Sequence, residues 1–257
     1  MIDITASDGF VFSAYRADPA DAPKGAVVVL QELSGVTRHI RDVVDAHAAR
    51  GYVAVAPCLF DRAKKGVELG EDEAGATEGL ALVRAVGFGK AMADIQATVE
   101  SVAPHGKVVL IGYDWGGYLA YHAANLVKGL ACAIGYYGCG IAEDPGPKRR
   151  IPTQLHFGLA DPYIPAARII GFRSTRPDVR VYEYPAGHGF AAADRAGYSA
   201  EATGLAMERM TTFITHTVEG PPAVTLKNAG AYAASATAKA DKKKKKPAGE
   251  DDLGPPL

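Results

Sequence analysis

Three cysteines in 257 residues, at positions 58, 132 and 139, are too few and too scattered for a disulfide framework. No CxxC pair or metal-ligand spacing accompanies them, so reduced thiols in a cytoplasmic chain are the expectation. Long apolar runs are missing too: 26-AVVVL-30 and 108-VVLI-111 are far too short to span a bilayer. The opening MIDITASDGF has no basic stretch followed by an apolar one, so no secretory signal is read there and no membrane association is expected. The formal charge is only −1, which removes any global pull toward nucleic acid. The small total hides an asymmetry, because residues 220–257 hold seven lysines against four acids.

The body has ordinary globular usage, 48% hydrophobic and 22% charged, enough to bury a sizeable core in one large domain. Short β-branched runs alternate with amphipathic stretches, the pattern of an α/β domain with a mainly parallel sheet flanked by helices. Strands are expected at 10–15, 26–31, 52–56, 107–112, 131–137, 153–157 and 179–184. Helices are expected near 38–50, 71–86, 90–102, 115–127, 164–175 and 199–217. Connections are short, which leaves no room for an inserted second domain. From 220 onward the Ala-, Lys- and Pro-rich composition supplies few large apolar residues, so 220–257 is expected to be a disordered tail behind a domain at 1–219.

The sharpest local feature is 108-VVLIGYDWGG-117, a buried strand that runs directly into a glycine-rich turn and then a helix. Small residues there permit a sharp turn that lifts one side chain, Asp114, above the sheet. A glycine-rich turn whose aspartate caps the following helix fits the same letters. Two later segments add weight to the first reading. Asp161 follows the strand at 153–157, and His188 follows the strand at 179–184. Both would sit at the carboxyl edge of a parallel sheet, where ligands gather, in the chain order nucleophile, acid, histidine of an α/β-hydrolase.

The blocks 31-QELSGV-36, 51-GYVAVAPCLF-60, 112-GYDWGG-117, 135-GYYGCG-140, 158-GLADPYIP-165 and 186-AGHGF-190 resemble the dienelactone hydrolase family, the carboxymethylenebutenolidases. The likeness covers nearly all of residues 1–218. It implies an α/β-hydrolase fold without a cap domain and a hydrolase of small esters, lactones or related electrophiles. His188 would be the triad histidine, oriented by Asp161, and Asp114 would stand where family members usually carry a nucleophilic cysteine. The backbone N–H groups of Leu33 and Trp115 would form the oxyanion hole. Glu32 matches a glutamate beside the nucleophile, and Tyr137 and Trp115 are expected to contact substrate.

Departures from that pattern matter. A carboxylate attacking a carbonyl gives a high-energy anhydride, whereas at saturated carbon it gives an alkyl ester that water can open. Asp-Trp-Gly-Gly is similar to the elbow of haloalkane dehalogenases, so a dehalogenase or epoxide hydrolase is a second reading. A non-catalytic binding protein is a third. Trp115 is the chain's only tryptophan, and 141-IAEDPGPKRRI-151 is too short for a cap. Glu32 and Asp114, if adjacent, would share a proton. Arginines that grip a substrate carboxylate in the family would fall near Ala191 and Ala192 and near Thr77, and the nearest basic residue after His188 is Arg195. Arg62, Lys64 and Lys65 are expected to cover a solvated loop. His39, His47 and His122 are read as helix residues, and Cys139 as a small buried one. Hydrolysis by this constellation needs only water, so no metal or organic cofactor is expected. The expected partner is a small-molecule substrate, and the chain is expected to be a monomer or homodimer.

Overall fold

Alternation within one strand divides the core in two. In β3 (Ala26–Leu30) every residue is buried. Val27 and Val29 point to one side, where Ile40 and Val44 of α1 (Arg38–Ala49) and Met210 and Phe213 of α6 (Ala200–Val218) cover them. Val28 and Leu30 point to the other side, against Ile95 and Val99 of α3 (Phe88–Val102) and Leu119 and Ala123 of α4 (Trp115–Leu126). A strand buried on both faces reads as a continuous apolar run, which is why β3 shows no polar alternation.

The computed structural model describes residues 1–220. The segment expected to be disordered lies, apart from Gly220, outside the described residues. The remaining elements are β1 (Ile2–Thr5), β2 (Val11–Ala17), β4 (Val53–Pro57), α2 (Glu73–Val86), β5 (Val108–Tyr113), β6 (Leu130–Tyr136), β7 (Thr153–Gly158), α5 (Ala166–Thr175) and β8 (Arg180–Tyr184). Eight strands form one sheet in the order β1-β2-β4-β3-β5-β6-β7-β8. The pairings β1·β2 and β2·β4 are antiparallel, and all others are parallel. The carboxyl ends of β3, β5, β7 and β8 therefore open on the same edge. Residues 137–152 carry no helix or strand, so no cap is inserted between β6 and β7.

Each expected strand and helix is present with ends within about two residues, and β1 is an addition. Arg62 corrects the sequence reading. Its guanidinium is only 6% exposed and is bound to Asp94 at 2.8 Å and Asp8 at 2.7 Å, so it anchors β1–β2 surroundings to α3. Lys64 does lie at the surface, 2.7 Å from Glu78. No helix among the described residues is long and apolar enough to cross a membrane.

Two imidazoles are locked neutral in the core. His156 stacks on Tyr136 and bonds to Gln154 at 2.7 Å and the Tyr184 hydroxyl at 2.8 Å. Burial pushes its pKa down to about 3 and that of His47 down to about 4. The unfolded chain takes up these protons below pH 6.5 while the folded chain refuses them, so stability is full above 6.5 and falls with acidification. A loss of roughly 2 kcal/mol per imidazole is expected by pH 5. Urea unfolding at pH 7 and pH 5 checks this, and an unchanged midpoint would contradict it.

Candidate active site

Backbone contact dictates where Asp114 points. A Cβ at Gly112 would collide with the Gly116 carbonyl oxygen, one at Gly116 would lie 2.5 Å from the Gln31 oxygen, and one at Gly117 2.6 Å from the Tyr136 oxygen. The three glycines thus let α4 start hard against β3 and β6. Asp114 absorbs the turn with φ 52° and ψ −115°, a left-handed conformation that only it and Tyr137 adopt among the described non-glycine residues. Its side chain makes no capping bond to α4, which sets the helix-cap reading aside.

The carboxylate instead faces the sheet edge and is 4% exposed. Its Oδ1 lies 3.5 Å from His188 Nε2, and its Oδ2 accepts the Leu33 N–H at 3.2 Å. On the far side of the ring, His188 Nδ1 meets Asp161 Oδ2 at 2.7 Å. Asp161 is held in turn by the N–H groups of Tyr163 (2.8 Å) and Ile164 (3.2 Å) on its other oxygen. One imidazole therefore lies between two carboxylates. Burial opposes a charge on His188, but the hydrogen bonds to Asp114 and Asp161 outweigh it and lift its pKa to about 9.

A second charged network lies beside the first. Glu32, 1% exposed, accepts the Tyr137 hydroxyl at 3.1 Å and Arg195 at 3.1 Å. Arg195 also reaches Glu71 at 2.9 Å. Burial raises the Glu32 carboxyl, Arg195 opposes the rise, and the Asp114 charge adds to it. Glu32 and Asp114 feel each other electrostatically, while their hydrogen bonds and ion pairs go to separate partners.

Both networks border a cavity of about 300 Å³, the lower end of small-ligand sites. Asp114, His188, Arg195, Leu33, Ser34, Glu71, Cys139 and Tyr163 line it, with Gly75, Ala76 and Leu80 of α2 forming one wall. The two aromatic residues expected to contact substrate do not line it. The Trp115 indole stacks on Phe60, ring centroids 5.3 Å apart, and Tyr137 is fully buried behind Glu32. Arg195 is the main residue undervalued in the sequence: seven positions beyond His188, it is returned to the cavity by a turn closed by its N–H on the Ala192 carbonyl. Cys139, half-buried, lines the cavity rather than only packing in the core, whereas Glu71 and Ser34 carry no signal of their own in the sequence and Tyr163 shows only as the neighbour of Asp161-Pro162. His122 packs between Tyr118, Tyr121 and Phe88 away from this cavity, and His39 lies edge-on to Tyr113.

A mainly parallel sheet covered by helices on both faces, with a strained elbow residue, an acid and a histidine in that chain order, defines an α/β-hydrolase. The dienelactone hydrolase family profile matches residues 12–218. A carboxymethylenebutenolidase of Pseudomonas putida is 34% identical over 83% of this chain and 94% of its own length. Carboxymethylenebutenolidase 1 of Cupriavidus pinatubonensis is 31% identical over 81% and 93%. A Klebsiella pneumoniae structure assigned to the dienelactone hydrolases superposes with TM-score 0.72 and 28% identity, covering 82% of this chain and 97% of that one. This chain belongs to the dienelactone hydrolase family and is a hydrolase.

The sandwiched imidazole has a measurable consequence. In the resting protein His188 is expected to carry both protons at pH 7.5, with a midpoint near pH 9. Asp114→Asn deletes one of the two anions and should lower that midpoint toward the ordinary 6.5, by about a unit or more. Histidine NMR titration of the two proteins reads the difference, and equal midpoints would exclude the coupling.

Proposed function

We propose that this chain hydrolyses a small electrophile through Asp114, His188 and Asp161, and that Asp114 attacks saturated carbon to form an alkyl-aspartyl ester. The observation that carries this reading is the Leu33 N–H, which donates to Asp114 Oδ2 itself. In acyl transfer that donor must be free to receive the substrate's carbonyl oxygen. In hydrolysis of an aspartyl ester the oxyanion forms on the Asp114 carboxyl group, so the donor already faces the right atom. The Trp115 N–H begins α4, where helix N–H groups have no intrahelical acceptor, and supplies a second donor nearby.

The electron and proton balance is simple. Asp114 Oδ1 bonds to the carbon, and the bond to the leaving group breaks with its electron pair, as in a halide or an epoxide oxygen. Alkylation removes the negative charge on Asp114, which weakens the hold on the imidazolium, and its Nε2 proton leaves with the departing group or to solvent. Neutral His188, still oriented by Asp161, then takes a proton from water as that water attacks the Asp114 carboxyl carbon. The alcohol departs and the carboxylate is restored. Ser34 and Arg195 line the cavity and offer polar groups to the substrate.

The names of the curated relatives support an ester or lactone as substrate, and the aspartate at the elbow supports an alkyl halide or epoxide. Mass spectrometry of a His188→Gln variant separates these readings. Incubation with haloacetates, small epoxides, butenolides and aryl esters should leave a stable adduct on Asp114 whose mass names the electrophile. An unmodified protein across the panel would overturn the proposal. Asp114→Cys frees the Leu33 N–H and supplies a thiol, so it should gain aryl esterase activity, measured as chromophore release, while losing the aspartyl adduct.

A further inference from the structure

Cys139 lies outside the reaction just described, although it lines the same cavity. Its Sγ, a carboxylate oxygen of Asp114 and a ring nitrogen of His188 all lie within 4.8 Å of one another. Three elements bring them there: the elbow after β5, the loop after β6 and the loop after β8. We propose that Asp114, Cys139 and His188 form a binding site for one divalent cation of the zinc class, with a fourth position open to the cavity.

The geometry fits such an ion. Zinc bonds of about 2.0–2.3 Å in a tetrahedron place neighbouring ligand atoms roughly 3.3–3.7 Å apart. His188 Nε2 and Asp114 Oδ1 are already 3.5 Å apart, and the Cys139 thiol sulfur lies within 4.8 Å of both side chains' ligand atoms. Outer partners are in place as well. Metal-bound imidazoles usually give their second N–H to a carboxylate, and Asp161 takes the His188 Nδ1 proton at 2.7 Å. The Leu33 N–H steadies the free oxygen of Asp114. Three protein ligands and an accessible cavity are the arrangement of a zinc site that keeps one exchangeable position. The mixed sulfur, nitrogen and oxygen set favours zinc or cobalt over magnesium or calcium, which require oxygen donors.

Binding displaces two protons to solvent, one from His188 Nε2 and one from the Cys139 thiol. The buried set then holds a dication against one thiolate and one carboxylate, with a neutral imidazole, and is balanced in charge. Because the cation engages both Asp114 and His188, occupancy and alkylation of Asp114 exclude each other. The site stands on its own geometry, whether or not Asp114 attacks carbon.

The test uses the full chain freed of metal by a chelator and titrated with Zn2+ by calorimetry and with Co2+ by absorption. One equivalent should bind, with a thiolate-to-cobalt charge-transfer band that disappears in Cys139→Ser and persists in Cys58→Ser. Asp161→Asn, which touches no metal, should weaken binding by about 10–100-fold. In the unmutated chain Zn2+ should shield Cys139, and not Cys58, from a thiol reagent, a readout that does not depend on any variant folding. No stoichiometric binding, an unchanged affinity in Cys139→Ser, or equal competition by Mg2+ would overturn the proposal. Zinc binding alongside a failure to trap an aspartyl adduct would remove the functional reading and leave this one.

Discussion

Two carboxylates compete for one imidazole, and most of what is distinctive about this site follows from that. Here Asp114 and Asp161 flank His188 at 3.5 and 2.7 Å, and their combined pull exceeds the cost of burying the ring's charge. The resting histidine is therefore an acid. In the reaction proposed above it becomes a base only when Asp114 loses its charge, which would tie the second half of that reaction to completion of the first.

The neighbouring Glu32–Arg195–Glu71 network keeps that balance local. Glu32 is almost completely buried, and as a bare anion it would add an uncompensated negative charge that Asp114 also feels. Arg195 and the Tyr137 hydroxyl engage it instead. Arg195 stands between two carboxylates in its turn, so the cavity wall alternates in sign rather than presenting one strong field.

Much of this was legible beforehand. The strands and helices follow from hydrophobic period, because a strand covered on both faces must be apolar throughout and a helix on a sheet must be apolar on one side. The addition, β1, is four residues long with a mixed burial pattern at the sheet edge, too short for alternation to register. Asp114, Asp161 and His188 were legible because glycine-rich turns at the ends of apolar strands are local signals. Trp115 was misjudged in its side chain, since the turn that aims Asp114 upward sends the next residue down onto Phe60.

The sequence by itself determined the sheet, the elbow and the order of the triad, since these depend on residues near one another along the chain and on the space that glycine leaves. Only the tertiary structure decided the partners of each charge. Leu33 reaches Asp114 across 81 residues, Tyr137 reaches Glu32 across 105, and Arg195 meets both Glu32 and Glu71 from a turn beyond His188. Charges act through space and over a few ångströms, so which anion faces which cation is set by the packing of distant loops and leaves no period or spacing to read.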